Sequence, residues 1–229
     1  MIENIQKQAP LYLQVYETFK KSILEGRWSP GEKIVESKIA AELNLSRSPV
    51  REAIRLLEFE GLLVKKDQHI FVHNPSVEDI VELYECRLGM EALTCYLAAG
   101  KATEEEKVEM ERILEETEKA IEEGNTQKIL ECNTRFHEAI IYSAKNKHLL
   151  SIMETLRSKT LYCRNVLLRY DYVRTDNFLG EHRDIYLAIR NKNKEEAKRL
   201  MEEHITTDLN RILALFNNEN DLTIRGNLQ

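Results

Sequence analysis

Residues 36–63 read ESKIAAELNLSRSPVREAIRLLEFEGLL, and this stretch decides the fold of the first third of the chain. It predicts a short helix over 36–45 and, after a tight turn, a second helix over 46–61 with Ser46 as its N-cap. Pro49 is compatible with the second helix because it lies in the first turn, where its missing N–H costs nothing. Two helices joined in this way indicate a helix-turn-helix motif.

The flanking segments extend this motif to a winged helix-turn-helix domain. Apolar residues repeat every four positions over 10–26, which predicts a helix, and 29–34 (SPGEKI) is typical of a turn. Residues 62–74 (LLVKKDQHIFVHN) predict two short strands around a polar tip, which would be the wing. Three helices followed by a two-stranded ribbon, all within 10–74, is the element order of a winged helix-turn-helix domain.

The rest of the chain predicts an antiparallel all-α bundle of about six helices. Amphipathic segments are predicted at 76–100, 103–124, 125–145, 147–169, 173–191 and 193–217. We therefore expect a mainly α protein with four parts. These are a winged helix-turn-helix domain with a small β-ribbon at 1–74, a linker at 75–77, a helical domain at 78–217, and a polar tail at 218–229.

Composition restricts the class of protein. The 229 residues include only 8 Gly and 4 Pro, which excludes collagen-like and low-complexity chains. No apolar run approaches the roughly 20 residues that span a bilayer, and the N-terminus carries no signal-peptide core, so we expect a cytoplasmic protein without membrane contact. Four scattered cysteines with no CxxC pair are predicted to be buried thiols in a reducing compartment: Cys86, Cys95, Cys132 and Cys163.

The 46–61 helix carries an arginine stripe that is suited to nucleic acid. Arg47, Arg51 and Arg55 follow one another at four-residue spacing and therefore share one face. The apolar residues lie on the other side of the helix: Val50, Ala53, Ile54 and Leu57. Arginine's planar fork can bind guanine edges or phosphates. The alternative is a solvated face on which Glu52 and Glu58 pair with the arginines.

Further donors surround this stripe. Ser46 and Ser48 lie at the start of the helix, where the helix dipole favours a phosphate. At the predicted wing tip, four side chains can reach an adjacent groove: Lys65, Lys66, Gln68 and His69. The chain has a formal charge of −6, but residues 1–75 carry 11 basic against 10 acidic side chains, and their cations are concentrated in 47–66.

Three histidines in the second part can form a metal site. His137, His182 and His204 fall in three different predicted helices, and Asn133 lies one turn before His137 on the same helix face. Three imidazoles and one oxygen can bind zinc or a similar divalent ion in the core of a bundle. Spacing alone is a weak signal, because a single helical histidine is more often a surface or core residue.

Residues 10–74 resemble the DNA-binding domain of the GntR superfamily, and the 36–63 stretch is similar to that family's signature throughout. The resemblance implies that Arg47, Ser48 and Arg51 contact DNA.

Two positions depart from the family pattern. Some relatives carry arginine where Ser37 stands, and Lys38 next to it is the expected substitute. The wing tip of relatives often contains glycine, whereas this chain has Asp67-Gln68-His69. Both departures concern the operator sequence more than the act of binding.

Residues 78–217 resemble the FCD effector domain of the FadR subfamily. The matching pieces are RLGMEA (87–92), NTRFHEAI (133–140), EHRDIYLAI (181–189) and AKRLMEEHI (197–205). The resemblance implies that a divalent ion, zinc with nickel or manganese as alternatives, is bound by Asn133, His137, His182 and His204. Most metal-binding members have Asp where Asn133 stands, so this site lacks one ligand charge.

The same resemblance implies effector-binding residues. Arg87 matches a family position that often meets a carboxylate, and its alternative role is a surface ion pair with Glu85 or Glu91. Arg164 and Asn165 are expected to line the same cavity. Glu181, next to His182, is either a solvated charge or an outer partner of the metal site.

We therefore expect a homodimeric transcriptional regulator, acting as a repressor, that binds a near-palindromic operator in double-stranded DNA and responds to a small organic acid. We do not expect an enzyme, because the sequence shows no nucleophile elbow, HExxH motif or glycine-rich phosphate loop. The alternatives are a metal-dependent hydrolase and a DNA-binding protein whose bundle serves only dimerisation.

Overall fold

The structure is a computed structural model that describes residues 9–168 and 178–218, and residue contacts divide the chain into two units. The described part of the first unit comprises 9–76 and 157–168, and that of the second comprises 77–156 and 178–218. The first five residues of the helix predicted at 173–191 lie outside the described residues, as does the tail after 218.

Three helices form most of the first unit, as predicted: α1 (Leu11–Leu24), α2 (Glu36–Glu42) and α3 (Arg47–Phe59). The apolar stripe of α3 is fully buried and packs in one core with apolar side chains of α1 and the wing. Between α2 and α3, Asn44 takes the left-handed φ of 52°, which asparagine tolerates better than most residues. Ser46 occupies the N-cap position of α3, but its side chain makes no capping hydrogen bond.

A three-stranded antiparallel sheet, and not a two-stranded ribbon, completes the first unit. Strands β2 (Leu63–Lys66) and β3 (His69–Val72) form the predicted hairpin, and β1 (Lys33–Ile34) pairs with the other edge of β3. The segment 29–34 was predicted only as a turn. Two residues are too few to show the alternation of a strand, so β1 becomes recognisable only through its pairing with β3.

Six helices lie between residues 77 and 218 within the described ranges, which confirms the predicted helical bundle. They are α4 (Val77–Lys101), α5 (Glu104–Glu122), α6 (Thr126–Ser143), α7 (Lys147–Leu168), α8 (Phe178–Arg190) and α9 (Lys194–Asn218). Helix α4 contacts α6, α8 and α9, so it occupies the centre of the second unit. At the start of α5, Thr103 and Glu106 form a reciprocal capping box.

The prediction about the cysteines is wrong at one of the four positions. The prediction of buried thiols is wrong for Cys86, which is exposed, while the other three cysteines are buried and all four are free thiols. Cys86 lies on the solvent stripe of α4 with the exposed residues Glu82 and Gly89, because these positions recur at helical spacing. Across the described ranges, no helix has the length and apolar character that crossing a membrane requires.

Candidate nucleic-acid interface and metal centre

The first unit exposes every residue that was predicted to contact DNA. These are Lys38, Ser46, Arg47, Ser48, Arg51, Arg55, Lys65, Lys66, Gln68 and His69. Arg47, Arg51 and Arg55 form the α3 arginine face, on the side of α3 opposite its buried apolar stripe. The hydroxyl groups of Ser46 and Ser48 lie at the N-terminal end of α3, where the helix dipole is positive.

Two of the three arginines make ion pairs at the surface. Arg55 Nη1 lies 2.9 Å from Glu52 Oε1, which is one of the pairings foreseen for a solvated face. Arg51 Nε lies 3.2 Å from Glu36 Oε2 on α2. The two arginine side chains are 51% and 64% exposed. Because exposed pairs contribute only about 0–1 kcal/mol, a phosphate or base edge can displace either carboxylate.

The wing presents its cations at a tight turn. Lys66 pairs with His69 across the hairpin, so only Asp67 and Gln68 form the tip. Asp67 adopts the left-handed φ of 46°, which aspartate tolerates better than most residues because its short polar side chain can form a local hydrogen bond. Lys65, Lys66 and His69 are all exposed and can follow a phosphate backbone.

The second unit brings the three predicted histidine ligands together. His137 of α6, His182 of α8 and His204 of α9 are buried, and one ligand atom of each lies within 4.8 Å of the others. The Nε2 atoms of His182 and His204 are 3.3 Å apart. Two nitrogens that bind one ion at about 2.1 Å lie roughly 3.0–3.4 Å apart in octahedral or tetrahedral geometry, so this separation fits coordination.

The fourth predicted ligand, Asn133, also fits a cation. It lies one turn before His137 on α6 and is 4% exposed. Its Oδ1 atom is buried and has no hydrogen-bond partner among the described residues. An unsatisfied buried acceptor costs about 1–3 kcal/mol, and a divalent cation would remove that cost. The donor set of three imidazoles and one amide oxygen therefore suits zinc or nickel.

Two carboxylates lie within hydrogen-bond distance of the Nδ1 atoms of two of these histidines. Glu91 Oε2 lies 2.6 Å from His137 Nδ1, and Glu181 Oε2 lies 2.7 Å from His204 Nδ1. Of the two roles foreseen for Glu181, the structure favours that of an outer partner, although its bond is to His204 and not to the adjacent His182. These hydrogen bonds leave Nε2 as the ligand atom of each ring.

Two aromatic rings contact the third histidine, His182. The ring of Phe136 stacks on His182 with centroids 4.5 Å apart and an interplanar angle of 24°. The ring of Phe178 meets His182 edge-on at 5.6 Å and 89°. Such contacts restrict the rotation of a ring without supplying charge.

Arg87 is buried at the centre of the second unit with 1% exposure, and not at the surface. Its Nε donates to Glu91 Oε1 at 2.7 Å, its Nη1 lies 3.6 Å from Asp208 Oδ2, and its guanidinium carbon lies 4.4 Å from the centre of the Tyr84 ring. Burial alone would raise the pKa of Glu91, but the charge of Arg87 and the hydrogen bonds from Arg87 and His137 outweigh burial and hold that pKa below its usual value.

The other two predicted effector residues, Arg164 and Asn165, lie on α7. Arg164 is partly buried and groups with the first unit, whereas Arg87 belongs to the second. The side chain of Asn165 lies outside the described part of the structure. An effector-binding role stays a prediction for both residues.

Comparison with known proteins identifies both parts of the chain. Residues 11–71 match the gntR family of bacterial regulatory proteins, and residues 82–207, more than half of the chain, match the FCD domain. The chain belongs to the GntR family. Because it carries an FCD domain, it is a transcriptional regulator of the FadR-like subfamily.

Individual relatives agree with this assignment. The uncharacterized HTH-type transcriptional regulator YdhC of Bacillus subtilis (strain 168) is 38% identical over 207 residues, covering 90% of this chain and 92% of that protein. The HTH-type transcriptional repressor RspR of Escherichia coli (strain K12) is 24% identical over 198 residues, covering 86% of each. The solved structure of E. coli McbR/YncC is similar in fold, with a TM-score of 0.75 at 22% identity, covering 91% of this chain and 100% of that one.

Sequence reasoning about this GntR-family chain missed three polar residues of the second unit: Tyr84 as a hydrogen-bond donor, Asp208 and Arg211. The Tyr84 hydroxyl donates to Asp208 Oδ2 at 2.7 Å, and Arg211 Nη2 donates to Glu181 Oε1 at 3.0 Å. The helical period could have indicated Asp208 and Arg211, because they follow His204 by four and seven residues and therefore share its face.

Proposed function

We propose that this chain is a transcriptional repressor whose affinity for a near-palindromic operator changes when a small carboxylate binds near a divalent metal in its FCD domain. In this proposal, residues 1–74 bind DNA, 75–77 form a linker, and 78–217 hold the effector and pair two chains as a homodimer. The α3 arginine face carries the proposal, because the apolar stripe of α3 is fully buried while its three arginines stay in solvent.

Each half-site would receive one α3 helix in its major groove. Arg47 and Arg51 would contact base edges, which arginine can bind bidentately at guanine. The other exposed donors would position the helix on phosphates and sugars: Lys38, Ser46, Ser48, Arg55, Lys65, Lys66 and His69. A dimer presents two such helices, so the two half-sites should be related by the symmetry of the protein.

Two buried atoms support a metal and a carboxylate as ligands of the FCD domain. Oδ1 of Asn133 is an acceptor and Nη1 of Arg87 is a donor, and neither has a hydrogen-bond partner among the described residues. A cation would satisfy the first atom and a carboxylate oxygen would satisfy the second. His137, His182 and His204 would complete the metal site with Asn133.

The charge of this core supports the same assignment. One buried guanidinium and two buried carboxylates, those of Arg87, Glu91 and Asp208, give a formal charge of −1 when the imidazoles are neutral. A divalent ion changes that charge to +1, which attracts a small organic acid. When bound, such an ion would supply an open coordination position for a carboxylate.

Regulation would follow from differential binding. An effector that binds two arrangements of the DNA-binding domains with different affinity shifts their populations. Coupling of about 1–3 kcal/mol would change operator affinity roughly 5–150-fold. We expect no catalytic turnover at the metal, which an assay of metal-dependent ester and amide hydrolysis tests.

Footprinting on the region upstream of the chain's own gene tests the proposal. We expect a protected near-palindrome with half-sites about one helical turn apart, and a change of occupancy when candidate carboxylates are added to zinc-loaded protein. Protection of no site at low ionic strength would contradict DNA binding. Occupancy that no carboxylate changes would contradict the effector role.

A further inference from the structure

We infer that two guanidinium–carboxylate–imidazole chains position the proposed metal ligands. The first runs from Arg87 through Glu91 to His137, and the second runs from Arg211 through Glu181 to His204. This inference rests on the proposed function, because it assigns outer partners to proposed ligands.

The first chain connects α4 to α6 in the interior of the FCD domain. Arg87 Nε donates to Glu91 Oε1 at 2.7 Å, and Glu91 Oε2 lies 2.6 Å from His137 Nδ1. All three side chains are buried, so each of these hydrogen bonds is shielded from bulk solvent. Glu91 thus uses one oxygen for the guanidinium and the other for the imidazole.

The second chain repeats this division of oxygens on α8 and α9. Arg211 Nη2 donates to Glu181 Oε1 at 3.0 Å, and Glu181 Oε2 lies 2.7 Å from His204 Nδ1. Arg211 and Glu181 retain about a quarter of their exposure, so this chain reaches the surface of the domain. The same arrangement is therefore built twice, from residues of different helices.

Both chains have the same physical consequence. An imidazole that donates its Nδ1 proton to a carboxylate keeps the Nε2 lone pair for a metal, and the anionic acceptor increases its strength as a ligand. The guanidinium fixes the orientation of the carboxylate with a charge-assisted hydrogen bond. We therefore assign Glu91, Glu181, Arg87 and Arg211 as positioning residues, with the two glutamates acting directly on the ligands.

Titration of the full chain with Zn²⁺ against a chromophoric chelator tests the inference. Glu91→Gln and Glu181→Gln should each weaken Zn²⁺ binding about 10–100-fold, the usual cost of losing an outer partner. Matched controls are Glu85→Gln on α4 and Asp184→Asn on α8, both exposed, which should bind Zn²⁺ like the unsubstituted chain. Unchanged binding by both glutamine variants would overturn the inference.

Two further measurements separate positioning from a loss of fold. Glu181 is partly exposed, so Glu181→Gln should leave the thermal unfolding of the metal-free chain unchanged while altering the visible absorption of its Co²⁺ complex. Arg211→Lys should retain more Zn²⁺ affinity than Arg211→Met, because lysine keeps the charge. An unaltered Co²⁺ spectrum, or equal affinity of the two Arg211 variants, would contradict the assignment.

The titration also distinguishes a failure of this inference from a failure of the proposed metal site. If the unsubstituted chain takes up no Zn²⁺, the proposed metal site and the positioning chains both fail. If it binds Zn²⁺ and the glutamine variants bind equally well, only the positioning chains fail.

Discussion

The arginines of the α3 arginine face are exposed to solvent, whereas Arg87 in the FCD domain is buried. Arg51 and Arg55 each meet one carboxylate in solvent, whereas Arg87 is enclosed between Glu91 and Asp208. An exposed guanidinium changes partners at little cost, but removing one partner of a buried pair costs about 3–5 kcal/mol. The exposed arginines of α3 therefore suit reversible binding of a partner, and the buried Arg87 suits a preorganised site.

Loss of one histidine of the proposed metal site should have the largest effect of any single substitution. His137→Ala removes one of three imidazoles, so Zn²⁺ affinity should fall by more than the roughly 10–100-fold that loss of an outer partner costs. Operator binding in the absence of effector should persist. His148→Ala on α7, an exposed histidine, is the matched control. A His137→Ala protein that purifies with its full metal content would refute the site.

Within α3, the buried and exposed faces should differ in stability. Leu57 is fully buried, so Leu57→Ala should lower the free energy of unfolding by about 2–5 kcal/mol in a urea titration. Arg55→Ala on the opposite face should change it by no more than about 0.5 kcal/mol. Equal losses for the two variants would mean that the arginine face is part of the folded core.

The smallest effect is expected from a surface ion pair. Glu36→Gln removes the partner of Arg51, and it should change the free energy of unfolding by less than about 1 kcal/mol. Operator affinity should stay the same or rise, since a carboxylate that competes with phosphate is lost. A marked fall in operator affinity, measured by fluorescence anisotropy, would show that Glu36 orients Arg51 for DNA.

The α3 region was predictable because its signals are local. Burial of Val50, Ala53, Ile54 and Leu57 follows from four-residue spacing within one helix, and the structure confirms each of them. Strand β1 was missed because its two residues carry no period, and it forms only by pairing with a strand more than thirty residues away.

The metal centre was only partly predictable from sequence. The placement of Asn133, His137, His182 and His204 on predicted helices gave only a weak signal of a metal site, and the motif resemblance strengthened it. The bond between Glu91 and His137 joins residues 46 apart, and that between Tyr84 and Asp208 joins residues 124 apart. Pairings of this kind leave no periodic pattern in the sequence. The carboxylates that contact the histidines are therefore found only in the folded structure.

The most direct measurement is the operator affinity of Arg47→Ala and Arg51→Ala beside that of Arg27→Ala, an exposed arginine of the first unit outside α3. Each α3 variant should bind the footprinted operator about 1–3 kcal/mol more weakly, or roughly 5–150-fold, if its guanidinium reads a base pair bidentately. Arg27→Ala should bind like the unsubstituted chain. Equal affinity of all three variants and the unsubstituted chain would contradict the assignment of α3 as the recognition helix.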